Sequence, residues 1–124
     1  VSQAAAVGAL AAGRAYCEPH VVALADVRAR VLEQLEALEG IAEAPSADGA
    51  FYCLLRVHTA IDAMTLAARL VREHKVAAVP GTAFGLTDAT YLRISYGALA
   101  GEKVGEGMGR LVAGIKAIVK SRVG

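Results

Sequence analysis

The sequence predicts an α+β fold in which a small, mostly antiparallel sheet packs against helices. Three observations predict it. Leu24, Val27, Val31, Leu35 and Leu38 recur at spacings of three and four, which lays one apolar stripe along a helix. Residues 91–96 alternate with period two, so Tyr91, Arg93 and Ser95 share one face of a strand and Leu92, Ile94 and Tyr96 the other. Between a short run of strand formers at 76–79 and that strand lies a connection opened by Pro80-Gly81, short enough for an antiparallel pair.

Taken in order, Ser2 is a good N-cap and the alanine-rich stretch behind it forms a helix over residues 2–16. Its apolar side chains are mostly methyl groups, so it contributes little burial energy alone and is expected to pack closely against something larger. Glu18-Pro19 is expected to break it, and the striped helix follows over residues 20–39 with Asp26 and Arg30 on its outer face. Gly40 suits a helix C-terminus, and Pro45-Ser46-Ala47-Asp48-Gly49 reads as turn material. The strand formers at 50–57 show no clean alternation until Arg56, which predicts a strand buried on both faces. Asp62 caps a third helix over 62–74 that turns Leu66, Leu70 and Val71 inward, with Arg69, Arg72 and Lys75 toward its negative end. The last helix, over 102–121, carries Val104, Met108, Leu111, Ile115 and Ile118 at helical spacing in spite of Gly105, Gly107, Gly109 and Gly114.

Composition bounds the function. The chain has 124 residues, enough for one domain, and 13 Lys+Arg against 12 Asp+Glu leave a formal net charge of +1. A balance this close to zero gives no electrostatic reason to expect a nucleic-acid or anionic-membrane partner. Arg14, Asp26, Asp62 and Arg69 interrupt the apolar stretches, so no span-length run occurs. Cys17 and Cys53 are too far apart for a CxxC motif and read as reduced thiols of a cytoplasmic protein. The opening lacks the basic flank and apolar core of a signal peptide. The chain starts at Val1 and its methionines are Met64 and Met108, so it reads as a trimmed chain or a piece of something longer.

Residue patterns alone assign no chemistry. Gly105, Gly107 and Gly109 match neither phosphate-loop pattern. His20, His58 and His74 lack ligand spacing, and no metal is implied. On pattern alone Arg93 is an exposed arginine on a half-solvated strand, and Phe51 a core strand residue.

Three segments then occur in order: Gly49-Ala50-Phe51-Tyr52, residues 70–85 with Val79-Pro80-Gly81-Thr82-Ala83-Phe84-Gly85 at their end, and Tyr91-Leu92-Arg93-Ile94-Ser95-Tyr96. Together they resemble the C-terminal part of pyridoxal-phosphate-dependent aminotransferases of classes I and II, the aspartate aminotransferase family of fold type I. The resemblance covers nearly the whole chain. It implies that residues 1–18 end the family's large domain and that residues 19–124 are its small domain, with the α+β fold of that domain.

The resemblance also implies roles. In that family the arginine matching Arg93 binds the α-carboxylate of the substrate amino acid, and an aromatic ring at the position of Phe51 approaches the substrate. A guanidinium suits the first task, because its parallel N–H donors match the two carboxylate oxygens. The Pro80-Gly81 turn and Phe84 shape a loop near the mouth of the site. The implied parent moves an amino group from an amino acid to a 2-oxo acid, uses pyridoxal phosphate, and is a cytoplasmic homodimer. Lys75, Lys103, Lys116 and Lys120 do not stand in the family's Schiff-base setting, and the large-domain elements that hold the cofactor are missing. This chain alone is therefore expected to be inactive, with a non-catalytic amino-acid-binding or dimerisation module as the alternative. Pro45 stands two residues further from Gly49 than in the family's usual motif, so an enlarged turn is expected there.

Overall fold

The structure is a computed structural model and describes residues 1–45, 49–97 and 101–121. Its elements run α1 (Ser2–Ala12), α2 (Arg14–Glu36), β1 (Ala42–Glu43), β2 (Tyr52–Val57), α3 (Ala63–His74), β3 (Val79–Pro80), a 3₁₀ turn (Gly81–Phe84), β4 (Thr90–Ser95) and α4 (Gly101–Lys120). The four strands form one sheet in the order β1-β2-β4-β3, every neighbouring pair antiparallel. An α+β fold with a small antiparallel sheet is therefore what the chain adopts.

One face of the sheet is covered and the other is open. Cys53, Leu55 and Val57 of β2 and Leu92 and Ile94 of β4 are buried beneath Val31 and Leu35 of α2, Leu66 and Leu70 of α3, and Met108, Leu111, Ile115 and Ile118 of α4. Each fully buried large aliphatic contributes about 1.5–3 kcal/mol, so this layer holds the fold together. Asp62 caps α3 as expected, its carboxylate accepting the Thr65 N–H at 2.9 Å. That bond, made to the charged form, is the first cause of a carboxyl pKa held below its usual range. At the other end Lys75 takes the left-handed conformation, with φ 56°, and Val76 N–H closes on the Leu70 carbonyl. Val76 is thereby used in the cap, and β3 shrinks from the expected 76–79 to Val79–Pro80.

Several expectations are corrected. The first break falls at Gly13, with φ 65°, because a positive φ costs glycine little; α2 then runs through Pro19, which forgoes one backbone donor. Residues 18 and 19 both lie inside α2. The striped helix ends at Glu36, and Leu38 completes the stripe from the turn that follows. No residue of α1 is buried, so among the described residues it packs against nothing larger. β2 starts at Tyr52, because Ala50 has φ 65° and cannot extend the strand, and it is buried on one face only. Val71 lies 48% exposed, turned about 100° from Leu70 around the helix. β1, which pairs Ala42 with Val57 and Glu43 with Arg56, has no counterpart in the sequence reading. Of the expected turn at residues 45–49, Ser46, Ala47 and Asp48 lie outside the described residues. The glycine cluster 105–109 is helical, within α4.

Candidate functional site

Arg93 stands in the middle of β4, on the open face of the sheet, as its alternation predicts. Register decides what surrounds it. Leu54 lies directly across on β2 and Val79 across on β3, while Tyr52 pairs with Ser95 and so sits diagonally from Arg93 on the same face. Diagonal neighbours are about 7–8 Å apart, within reach of long side chains. The Tyr52 ring centroid is 5.0 Å from the guanidinium carbon of Arg93.

A second ring arrives from the other side of β4. The 3₁₀ turn presses so closely on the strand that a Cβ on Gly81 would stand 2.5 Å from the Tyr91 Cβ, a distance only glycine avoids. Gly85, with φ 81°, closes the turn. This places the Phe84 ring centroid 5.0 Å from the same guanidinium carbon. Each cation–π contact contributes about 0.5–1 kcal/mol where exposed and about 2 where water is excluded.

The guanidinium lines a concavity of about 380 Å³ together with Pro45, Tyr52, Leu54, Phe84 and Leu86. Among the described residues that line it, Arg93 is the one charged side chain. Its Nε is sealed from solvent and has no hydrogen-bond partner among the described residues. A guanidinium in a largely apolar hollow has the chemistry to pair with a carboxylate through two parallel N–H donors. Mounting it mid-strand, with neighbours on both sides, fixes its direction.

Phe51 is placed differently. Its ring is 50% exposed and meets Tyr52 edge-on at 5.6 Å, so it is not the core strand residue its pattern suggests. Its carbonyl accepts the Tyr96 N–H at 2.9 Å, and a Cβ on Gly97 would come within 2.5 Å of its own Cβ. Phe51 does not line the concavity; among the described contacts it reaches Arg93 only by way of Tyr52. Tyr52, by contrast, is a site neighbour the sequence reading did not single out. Its motif was visible, but the register that sets it beside Arg93 was not.

Other reactive groups lie apart. Burial pushes the Cys53 thiol pKa up, the opposite of what a nucleophile needs. His58 Nε2 stands 3.6 Å from Glu43 on the exposed edge of the sheet, and His20 packs against the Tyr16 ring at 5.3 Å. Among the described residues no three His, Cys, Asp or Glu side chains converge as metal ligands would. No helix among them is long and apolar enough to cross a membrane. Lysines do not line the concavity: Lys75 Nζ donates to the Arg72 carbonyl at 2.8 Å, and Lys103, Lys116 and Lys120 are carried by α4.

Comparison with known proteins identifies the family. The family model described as aminotransferase class I and II matches residues 1–111. Aromatic-amino-acid aminotransferase 2 of Thermococcus litoralis is 42% identical over 64 residues, 51% of this chain and 16% of the relative. Aspartate aminotransferase of Pyrococcus abyssi is 44% identical over 64 residues, with the same coverage. A solved structure of a Thermus thermophilus aspartate aminotransferase mutant superposes with a TM-score of 0.70 and 33% identity, covering 82% of this chain and 26% of that one. The chain therefore spans 16% of the length of the curated relatives it matches. With a family model matched along most of its length, this chain belongs to the class I and II aminotransferases.

Proposed function

We propose that this chain is the C-terminal small domain of a pyridoxal-phosphate-dependent aminotransferase, with residues 1–18 ending the large domain and residues 19–124 forming the small one. In this reading Arg93 binds the α-carboxylate of the amino acid whose amino group passes to a 2-oxo acid. The observation that carries it is Arg93, set mid-strand as the one charged side chain among the described residues that line the concavity. Family membership supports the same reading. The cofactor supplies the electron sink that makes amino transfer possible and is held by residues outside this chain. Arg93 binds and orients without itself reacting, and Phe51 borders the substrate from beyond Tyr52. The parent is a cytoplasmic homodimer, and the half-exposed or bare apolar side chains Val7, Leu10, Tyr16, Val21 and Val22 of α1 and α2 are the surface on which the rest of it packs.

Arg93→Lys in the full-length enzyme is the test, with steady-state kinetics as its readout. A higher KM for the amino acid together with a lower kcat is expected, and unchanged kinetics would remove Arg93 from the site. The isolated chain mixed with pyridoxal phosphate is expected to show neither a stoichiometric cofactor absorbance band nor turnover. Appearance of both would overturn the assignment of cofactor binding to residues elsewhere.

A further inference from the structure

We infer that Tyr52 and Phe84 are positioning residues of this site, two rings that together hold the Arg93 guanidinium in one orientation for a carboxylate. The inference rests on the reading of Arg93 as the carboxylate anchor and adds the device that aims it. An arginine side chain has many rotamers, and its usefulness as an anchor depends on how few it occupies before the ligand arrives. The common way to restrict it is a carboxylate partner. Among the described residues no carboxylate pairs with Arg93, and its sealed Nε has no acceptor. The groups that do meet it are two aromatic rings, each with its centroid 5.0 Å from the guanidinium carbon.

The rings come from elements on opposite sides of β4. Tyr52 stands on β2, and Phe84 ends the 3₁₀ turn that follows β3, so the sheet order places β4 between them. Both rings are themselves fixed. Tyr52 belongs to a paired strand and meets the Phe51 ring edge-on, and the turn bearing Phe84 is pressed onto Tyr91 at Gly81. Aromatic faces attract the cation without neutralising it. The full positive charge therefore remains for the ligand, where a carboxylate partner would have offset it.

The test is made in the full-length enzyme with L-phenylalanine or L-aspartate as amino donor, alongside Arg93→Lys. Tyr52→Leu and Phe84→Leu are each expected to raise KM for the amino acid about two- to fivefold, the range of one such contact. Tyr52→Phe keeps the ring and is expected to restore the wild-type value, which a role for the hydroxyl would not allow. In an Arg93→Lys background Tyr52→Leu is expected to add little further loss, because its effect passes through the guanidinium. Without any substrate, the Cδ protons of Arg93 in the isotope-labelled protein are expected upfield of those of other arginines, and to move back in both leucine variants. Unchanged KM in both leucine variants, or a loss that persists in full in the Arg93→Lys background, would overturn the inference. If Arg93→Lys itself changes nothing, the anchor reading fails, and the proton shifts alone then decide whether the rings hold the guanidinium.

Discussion

A lysine in place of Arg93 would keep the charge and lose the fork, and the difference is measurable. Hydrogen bonds to charged groups contribute about 1.5–3 kcal/mol each, so replacing two parallel N–H donors by one rotating ammonium should lower kcat/KM about 10- to 100-fold. On the proposed reading the loss is expected in kcat as well as KM, because a carboxylate anchor orients the substrate besides binding it. Arg93 was legible in the sequence at this scale: period two put it on one face with Tyr91 and Ser95, and the flanking residues carried the family pattern. Its neighbours were not. Leu54, Tyr52 and Phe84 come from segments about 9 to 41 positions away, joined only by strand register and by a glycine-dependent turn.

Among the elements, the packing of α3 on α4 hinges on Gly114. A Cβ there would stand 2.7 Å from Leu70 Cδ2 and 2.9 Å from His74 Cγ, and Leu70 is fully buried. Gly114→Ala is therefore expected to destabilise the fold by up to about 2 kcal/mol, the overpacking cost less the gain in helix propensity. Gly109 is the internal control, exposed on the same helix with nothing within 4 Å of the added methyl. Gly109→Ala should stabilise by up to about 1 kcal/mol. Urea denaturation of the two variants checks both signs, and equal midpoints would show that α3 does not approach α4 as closely as described. Helical stripes made α3 and α4 readable from the sequence, since Val104, Met108, Leu111, Ile115 and Ile118 are all buried. β1 was unreadable because a two-residue edge strand has no period; it exists by pairing with β2.

For the whole molecule, titration sets the stability window. Glu43 is held below the usual carboxylate range chiefly by Arg56, Glu73 by Arg69, and Asp62 by its capping bond from Thr65. Each carboxylate binds protons less readily folded than unfolded, so its contribution is present above the unfolded value of about 4 and is lost as pH falls through the lower folded value. Cys53 and Tyr96 act at the other end. Burial raises both, so the unfolded chain ionises first and stability declines above about pH 8.5–10. Melting temperature is thus expected to be flat near neutrality and to fall on both sides. A midpoint that rises between pH 5 and pH 3 would contradict the ion pairs described.

Local chemistry determined the parts of this protein that repeat along the chain. Helical and strand periods, the Asp62 cap and the open-face position of Arg93 follow from side-chain size and backbone geometry within a few residues. Tertiary structure decided the rest: the one-sided burial of β2 and the pair of rings around the guanidinium. Those outcomes depend on which residues meet across the sheet, and register is a property of two strands together, set by the core they share.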